Sequence, residues 1–254
     1  MKQLNIENTG NLPYNVEEAL NRLRVNFGFI GPEYKKIIVT SSTPNEGKSF
    51  VAINLWRMLA ESGKNVVLVD GDIRKSVLRT RHKISSKDSE IQGLAYYLAG
   101  QCNVEDIIYA TNITNGYMIP ISYTVSNPSL LLQSERFPKL LDALSKSFDY
   151  VLVDTPPVSA VADGNLIASY CDGALFVVRG GVTPRKLIAS SIKQLEAANC
   201  KVLGVVLNRV EMKNSSYYYK YNKGGYYYSH YYGGYGADSA DADKAPASEK
   251  FDSK

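Results

Sequence analysis

The chain has 254 residues, of which 44% are hydrophobic, and its 29 basic and 25 acidic side chains give a formal net charge of +4. This length suits one sizeable α/β domain, and so small a basic excess does not predict nucleic acid binding. No segment approaches the ~18 consecutive apolar residues that a membrane-spanning helix requires. The N-terminus, MKQLNIENTG, lacks an apolar signal segment, so a cytoplasmic protein is expected.

The three cysteines, Cys102, Cys171 and Cys200, are unevenly spaced and form no C-x-x-C pair. The chain also has only two histidines, so no zinc motif of familiar spacing is present. The cysteines are therefore predicted to be reduced thiols, mainly in buried positions.

The first predicted element is a helix over residues 14–29, with Asn15 as its N-terminal cap. Its apolar side chains recur at helical spacing and should pack on the body of the protein; they are Leu20, Leu23 and Phe27. Glu18 and Arg24 lie off this apolar stripe, which leaves them available to a neighbouring subunit.

Residues 36–50, KIIVTSSTPNEGKSF, are the segment around which the chain is organised. An apolar strand is followed by a turn over 41–46 and by a helix from Gly47. Backbone N–H groups at such a helix start, together with the side chain of Lys48, bind phosphate oxygens, and the Ser49 hydroxyl can bind Mg²⁺. The segment therefore predicts a phosphate-binding loop, although a surface turn that carries a lysine would share these residues.

Two positions depart from the usual G-x-x-x-x-G-K-[ST] pattern of such loops. Ser42 stands where the first glycine is expected, and Asn45 stands where glycine is common. Asparagine is the residue other than glycine that best tolerates a left-handed backbone, so the loop is still expected to close.

A second apolar strand, over 66–69, is followed by two aspartates, Asp70 and Asp72. Such an uninterrupted apolar run is typical of a central parallel strand that is covered on both faces. Ligands of open α/β sheets bind at the carboxyl ends of the strands, so both aspartates are expected beside the phosphate loop.

The middle of the chain is less regular. Residues 74–90 are polar and basic and predict an exposed loop with part of a helix. Three helices and a weaker strand follow; the helices are predicted over 92–100, 104–108 and 130–146, with Pro138 bending or restarting the last, and the strand over 117–121.

The second half returns to alternating strands and helices. Strands are predicted over 148–157, which includes Asp154, over 173–179 and over 202–208, with a helix over 184–199. Strands that alternate with helices at this spacing predict a mainly parallel sheet flanked by helices and joined by right-handed crossovers. With the phosphate loop, the pattern predicts the α/β fold of P-loop NTPases.

Residues 211–236 have a different composition, in which tyrosines stand among glycine, asparagine, serine and lysine without aliphatic periodicity. The ten tyrosines are Tyr217, Tyr218, Tyr219, Tyr221, Tyr226, Tyr227, Tyr228, Tyr231, Tyr232 and Tyr235. Residues 237–254 have a composition typical of disorder. The predicted organisation is therefore a P-loop domain over 1–210, the tyrosine cluster over 211–236 and a disordered C-terminal tail.

The carboxylates that follow the predicted strands have a chemical role if the loop binds a nucleotide. Such chemistry needs a divalent cation on the phosphate oxygens, and Ser49, Asp72 and Asp154 are the predicted ligands of Mg²⁺. Asp70 or Asp72 is a candidate to accept the proton of an attacking hydroxyl, and Arg74 to stabilise phosphate charge or pair with one of them. A single strand-end aspartate is commonly only a cap, but three such motifs are not expected from capping alone.

In combination these motifs resemble the bacterial tyrosine kinases that control capsule and exopolysaccharide synthesis, in their free-standing cytoplasmic form. The matching segments are VTSSTPNEGKS at 39–49, VLVDGDIR at 67–74, YVLVDTPPV at 150–158, VLGVVLNRV at 202–210 and the tyrosine cluster. The resemblance covers nearly the whole chain, and its D-x-D-x-R motif is absent from ordinary phosphate-loop proteins.

The resemblance implies residue roles as well as a fold. Asn208 would contact adenine, and the remaining nucleotide contacts would come from Thr43, Pro44, Asn45, Glu46, Gly47, Lys48, Ser49 and Phe50. Lys48, Asp70, Asp72, Arg74 and Asp154 would be the catalytic residues. The family's helical E-x-x-R-x-x-R motif is matched at Glu18 and Arg24, with Asn21 in place of the middle arginine and Arg22 beside it, so 14–29 would be an oligomerisation helix.

The resemblance further implies ATP-dependent phosphorylation of the tyrosine cluster, chiefly between subunits of a ring-shaped oligomer. The implied cofactors are ATP and Mg²⁺. The implied partners are a membrane-anchored polysaccharide chain-length regulator as activator and a cognate tyrosine phosphatase, which would place the chain at the inner face of the cell membrane. Capsular or extracellular polysaccharide synthesis and chain length would then be the regulated processes.

Two other functions are compatible with parts of the sequence. One is an ATPase switch like those that position division sites or partition plasmids; these usually carry an additional lysine early in the loop, where this chain has Thr43, and lack a tyrosine-rich tail. The other is a non-enzymatic protein whose Tyr/Gly segment mediates self-association or polysaccharide contact through stacking, with nucleotide needed only for folding.

Overall fold

The computed structural model describes residues 1–7, 12–86, 90–123, 125 and 127–210. Within these ranges the residues from Met1 to Val210 form one compact unit. The predicted tyrosine cluster, 211–236, and the predicted disordered tail, 237–254, lie outside the described residues.

The described residues form one sheet of eight strands in the order β1-β4-β5-β3-β6-β2-β7-β8. The strands are β1 (Gln3–Leu4), β2 (Lys36–Ser41), β3 (Val66–Asp70), β4 (Tyr109–Thr111), β5 (Gly116–Ile119), β6 (Tyr150–Asp154), β7 (Gly173–Arg179) and β8 (Lys201–Asn208). All neighbouring pairs are parallel except β4 and β5, which are antiparallel. The predicted α/β class and mainly parallel sheet are confirmed.

Helices cover both faces of this sheet. They are α1 (Tyr14–Phe27), α2 (Lys48–Glu61), α3 (Leu78–Arg81), α4 (Leu94–Leu98), α5 (Pro128–Leu132), α6 (Arg136–Ser147), α7 (Ala162–Ala168) and α8 (Arg185–Ala197), with a 3₁₀ turn at Val104–Asp106. Among the described residues, none of these helices combines the length and apolar character needed to cross a bilayer.

The alternation of side chains along the central strands divides the core into two clusters. Ile38 points to the face covered by α4 to α8, whereas Ile37 and Val39 point to the face covered by α1 and α2. Because both faces are covered, the central strands β3 and β6 are apolar up to their terminal aspartates, as the sequence predicted. On the α2 side, the indole Nε1 of the fully buried Trp56 donates a hydrogen bond to the Val66 carbonyl at 3.1 Å.

The sheet topology brings the three motif-bearing strands together. β6 lies between β3 and β2, and all three run parallel. Asp70 at the end of β3 is directly opposite Asp154 at the end of β6, and Asp154 is paired in turn with Val39, shortly before the phosphate loop. The carboxyl edge of the sheet therefore collects the loop and the aspartates at one place.

The first helix begins where it was predicted but ends earlier, and its N-terminal cap differs from the prediction. It ends at Phe27 rather than at residue 29, and it begins at Tyr14, directly after Pro13. Asn15 was predicted to cap this helix; that prediction is wrong, because Asn15 lies in the first turn and no side chain caps the helix. The proline supplies the extended backbone from which the helix starts. The apolar stripe is confirmed, since Leu20 and Phe27 are buried.

The helix predicted over 130–146 is two helices, α5 and α6. Pro138 is the third residue of α6, where its missing N–H has no intrahelical acceptor to lose. The interruption lies before it, between Gln133 and Glu135. Pro138 therefore stands near the start of the second helix and bends neither helix.

Three short elements were not predicted: β1, β4 and α7. The other boundaries agree with the structure to within about three residues. All three cysteines are free, as predicted; Cys171 and Cys200 are buried and Cys102 is partly buried. Burial raises the pKa of Cys200 to about 12, which keeps it a neutral thiol.

Candidate active site

The phosphate loop connects β2 to α2 and contains two residues with left-handed backbone. Asn45 has a φ of 66° and Gly47 a φ of 99°, so the predicted left-handed tolerance of Asn45 is used. Gly47 has a second constraint, because a Cβ atom there would lie 2.0 Å from Nδ2 of Asn208. The helix begins at Lys48, so Lys48 and Ser49 occupy its first turn, as the motif requires.

The ammonium group of Lys48 lies among the residues predicted to bind phosphate and metal. Its Nζ is 3.5 Å from Oδ2 of Asp72 and 3.9 Å from Oδ1 of Asp154. It also donates a hydrogen bond to the Ser49 hydroxyl at 3.3 Å. The structure therefore brings four predicted site residues from three elements into one cluster.

The environment of Asp154 suits a carboxylate that binds a cation. It is buried, and within the described part of the chain its Oδ1 has no hydrogen-bond partner. Burial raises the pKa of Asp154, while the Lys48 charge and the Ser49 hydroxyl act in the opposite direction. A buried oxygen without a partner, beside a serine hydroxyl, suits Mg²⁺, which prefers such oxygen ligands.

The two aspartates that follow β3 are in different environments. Asp72 lines the cleft in front of the loop, and its Oδ1 accepts a hydrogen bond from the Lys75 backbone N–H at 3.0 Å. Asp70 is buried behind it and accepts a hydrogen bond from the Ser76 hydroxyl. Burial, reinforced by the charge of Asp154, raises the pKa of Asp70 well above its ordinary value. Of the two, Asp72 is therefore the one that lines the cleft.

The Arg74 guanidinium was expected to stabilise phosphate charge or to pair with Asp70 or Asp72. It pairs with Asp163 instead: its Nε donates to Oδ2 at 2.5 Å and its Nη2 to Oδ1 at 3.3 Å. Ser129 completes the group, because its hydroxyl donates to Asp163 at 2.5 Å and accepts from Arg74 at 3.0 Å. The hydrogen bond to Asp163 raises the pKa of Arg74. Arg74 nevertheless lines the cleft, which is compatible with a role towards phosphate.

Glu46 connects the loop by hydrogen bonds to the ends of β7 and β8. Its side chain is buried and accepts hydrogen bonds from the Thr43 backbone N–H at 2.8 Å and from the Thr183 hydroxyl. Its backbone carbonyl accepts a hydrogen bond from Nδ2 of Asn208 at 2.8 Å. The loop conformation is therefore stabilised by hydrogen bonds that involve Thr43, Glu46 and Asn208. The carboxylate of Glu46 is engaged within the protein, and Phe50 is half-buried against the core.

The cleft has a volume of about 310 Å³, and three walls surround it. The loop contributes Pro44, Asn45, Gly47, Lys48 and Ser49; the segment after β3 contributes Asp72, Arg74, Lys75, Val77 and Arg81; the segment after β6 contributes Pro156, Pro157, Ala160 and Val161. Several residues of the cleft and its surroundings were not predicted from the sequence: Lys75, Val77, Arg81, the apolar third wall, Asp163, Ser129 and Thr183. Arg74 in the D-x-D-x-R motif was the only signal that pointed to this network, because its charge needs a partner.

The residues predicted for subunit contact lie on α1 and do not line this cleft. Arg22 donates to the Glu18 carboxylate at 3.3 Å on the exposed surface of the helix. Arg24 donates to Oδ1 of Asn21 at 2.9 Å. Glu18, Asn21 and Arg24 line a separate groove between α1 and the end of α2.

No group of three or more His, Cys, Asp or Glu side chains in the described ranges is arranged to hold a metal ion on its own. The predicted Mg²⁺ ligands are one hydroxyl, of Ser49, and two carboxylates, of Asp72 and Asp154. That number is sufficient for Mg²⁺ when nucleotide phosphates and water complete the coordination.

Comparison with known proteins agrees with this geometry. Residues 34–178 match the family described as AAA domain. Tyrosine-protein kinase CpsD of Streptococcus agalactiae is 36% identical over 209 residues, which are 82% of this chain and 90% of CpsD. The chain belongs to the bacterial tyrosine kinase family. By class it is therefore a protein-tyrosine kinase.

Solved structures place this kinase in the same group. The kinase domain of Escherichia coli tyrosine kinase ETK superimposes with a TM-score of 0.72 at 29% identity, over 82% of this chain and 84% of ETK. The cell division ATPase MinD of Pyrococcus furiosus gives a lower TM-score, 0.61, at 28% identity, over 71% of this chain and 74% of MinD. The kinase thus shares the nucleotide-binding P-loop fold with both classes, and the predicted resemblance to the tyrosine kinases is confirmed.

Proposed function

We propose that this kinase transfers the γ-phosphoryl group of ATP to tyrosines in its own 211–236 cluster, chiefly between subunits. The observation that supports the proposal is the cluster of Lys48, Ser49, Asp72 and Asp154, in which the first three line one cleft and Asp154 lies beneath Lys48, 3.9 Å from its Nζ. An ATP-binding loop with a cleft beside it leaves room for a second substrate next to the phosphate.

The phosphate loop would hold the ATP phosphates through the backbone N–H groups at the start of α2 and through Lys48. Ser49, Asp72 and Asp154 would hold Mg²⁺, which supplies charge neutralisation of the phosphate oxygens. Lys48 is already within 4 Å of both carboxylates, at 3.5 and 3.9 Å, so the ammonium group is positioned before the nucleotide binds. Asn208, which shapes the loop, would contact the adenine.

Asp72 is the proposed general base. It lines the cleft, whereas Asp70 does not, and Oδ2 of Asp70 accepts a hydrogen bond from the Ser76 hydroxyl. In the step, the phenol oxygen attacks the γ-phosphorus, the bond from phosphorus to the β–γ bridging oxygen breaks, and the phenol proton passes to Asp72. Arg74, on the same cleft, would stabilise the negative charge of the transferring group. Asp70 would support the site by holding the hydroxyl of Ser76.

The remaining features follow from membership of the family. Glu18, Arg22 and Arg24 on α1 would contact a neighbouring subunit in a ring-shaped oligomer, and 1–210 would be the kinase domain with 237–254 as a tail. A membrane-anchored chain-length regulator would activate the kinase at the inner face of the cell membrane. A tyrosine phosphatase would reverse the modification, and the cycle would regulate capsular or extracellular polysaccharide synthesis and chain length.

Mass spectrometry after incubation with Mg·ATP tests the proposal. The wild-type chain is expected to gain phosphate in peptides from the tyrosine cluster, with and without a membrane fraction that supplies the regulator. Lys48→Met is the matched control, because it removes the phosphate-binding ammonium, and it should gain none. ATP hydrolysis with no phosphate on the cluster under either condition would contradict the proposal and favour an ATPase switch.

A further inference from the structure

One wall of the active-site cleft carries more positive charge than phosphoryl transfer requires. Lys48 and Arg74 have proposed roles towards ATP, but the same cleft is also lined by Lys75 and Arg81, which follow β3. Asp72 is the single carboxylate among the residues that line the cleft. Lys75 and Arg81 are both exposed to solvent at this wall.

The backbone that carries this positive wall is fixed by carboxylates beneath it. Asp72 accepts the Lys75 backbone N–H at 3.0 Å, and Asp70 accepts the Ser76 hydroxyl. Arg74 is held by Asp163. Because these contacts already order the segment, an anion that binds here does not have to order the backbone, which favours a specific subsite.

The adjacent wall suits an aromatic ring. It consists of apolar residues from the segment after β6, namely Pro156, Pro157, Ala160 and Val161. Val77, from the segment after β3, also lines the cleft. A phenol that packed on this wall would place its hydroxyl near Asp72, the proposed base. A residue next to that tyrosine in an acceptor segment would then lie close to the positive wall.

The acceptor segment itself changes its charge during the proposed reaction. Between Met212 and Ala237 the sequence contains Lys213, Lys220 and Lys223 and no aspartate or glutamate. The unmodified segment is therefore cationic and is repelled by the positive wall. Each phosphotyrosine adds about −1.5 to −2 charges, so one modification is sufficient to reduce or remove the repulsion and to supply a group that arginine and lysine bind.

We infer that Lys75 and Arg81 form a second anion subsite, which binds a phosphotyrosine already present in the acceptor segment and so promotes modification of its neighbours. The inference rests on the proposed function, because it concerns the acceptor of the same site. The tyrosine runs 217–219 and 226–228 provide adjacent phosphorylation positions. Phosphorylation of the cluster is then self-reinforcing: the first transfer is slow and later transfers are faster.

Binding of two synthetic peptides tests the subsite without turnover. Both span residues 213–232, and one carries a phosphate on Tyr218. The full-length chain is dephosphorylated and saturated with Mg²⁺ and a non-hydrolysable ATP analogue, and peptide affinity is measured by fluorescence anisotropy. The phosphopeptide is expected to bind about tenfold more tightly, and this ratio is expected to fall as salt is added.

The measured quantity in each variant is the ratio of phosphopeptide affinity to unmodified-peptide affinity. Lys75→Gln combined with Arg81→Gln should reduce the ratio to about one. Arg79→Gln is the matched control: Arg79 lies on the same short helix α3 but lines a different hollow, so the ratio should be retained. The fluorescence of Trp56, the single tryptophan, checks that each variant is folded.

Three results would overturn the inference: equal affinities in the wild-type chain, a ratio retained by the double variant, or a ratio lost equally in Arg79→Gln. Transfer of phosphate from Mg·ATP to the two peptides is measured separately. If the affinity ratio holds but neither peptide is phosphorylated, the proposed kinase function fails while the subsite stands. If both are phosphorylated with equal affinity and rate, the function stands and the subsite fails.

Discussion

Replacing Asp163 with asparagine tests whether the cleft depends on a residue that does not itself line it. Asp163 is 1% exposed and accepts hydrogen bonds from Arg74 at 2.5 and 3.3 Å and from Ser129 at 2.5 Å. A hydrogen bond to a charged group contributes about 1.5–3 kcal/mol to stability. The guanidinium end is 40% exposed and recovers hydration when it is released, so we expect a loss near the lower value, about 1.5 kcal/mol.

The same substitution should affect turnover more than nucleotide binding. Asparagine preserves the shape of Asp163 but removes its charge and turns an N–H group towards a donor of Arg74. The guanidinium then loses its fixed position, and we expect kcat for tyrosine phosphorylation to fall about tenfold to a hundredfold. The KM for ATP should change by less than about threefold, because the loop contacts of Lys48 are untouched.

Urea denaturation and steady-state kinetics measure the two effects. Ser129→Ala is the matched control, because it removes one hydrogen bond to Asp163 and leaves the Arg74 to Asp163 ion pair in place. It should lower the unfolding free energy by about 1 kcal/mol and kcat by less than about threefold. A large stability loss in Asp163→Asn with an unchanged kcat would refute the reasoning, since Arg74 would then act only in folding.

The other predictions concern the buried aspartate, the loop glycine and the oligomer. Because burial raises the pKa of Asp70 above its ordinary value of 3.8, its ionisation penalises the native state as pH rises from about 4 towards the raised pKa. In thermal unfolding, Asp70→Asn should therefore be more stable than the wild type at pH 7 and no more stable than the wild type below pH 3.8. Equal stability of the variant and the wild type at both pH values would contradict this prediction. Gly47→Ala should weaken ATP binding at least tenfold in a fluorescent-nucleotide titration, because the new Cβ would collide with Asn208. Gly63→Ala is the control: Gly63 also has a positive φ, but the space around it is open, so ATP binding should be unchanged. Incubation with Mg·ATP should shift the wild-type chain, but not Lys48→Met, towards monomer in light scattering, because modified clusters repel one another; equal sizes would count against the charge argument.

The central strands were predictable because buried parallel strands have a simple sequence pattern. Runs such as VVLV in β3 and YVLV in β6 have neighbours on both sides and helices on both faces, so almost every position is apolar. The short elements β1 and β4 were not predictable. Tyr109–Thr111 is too short to show a period, and its pairing with Gln3–Leu4 depends on residues far away in the sequence.

The site was predictable to the extent that its chemistry lies in local motifs. Lys48, Ser49 and the strand-end aspartates follow strands whose carboxyl ends must meet, so their proximity follows from topology. The ion pair of Arg74 with Asp163 could not be predicted, because it joins segments 89 positions apart. Asp163 stands in the first turn of α7, where an acidic residue is ordinary, and nothing local distinguishes a partner from a helix-stabilising residue.

A mixture of two variants shows whether one chain phosphorylates another. One chain carries Lys48→Met and an intact tyrosine cluster; the other has the wild-type site and all ten cluster tyrosines changed to phenylalanine. After incubation with Mg·ATP, phosphotyrosine is expected on the Lys48→Met chain only in the mixture, and none when that chain is incubated alone. An unmodified Lys48→Met chain in the mixture, under conditions in which the wild-type chain labels itself, would contradict transfer between subunits from this cleft.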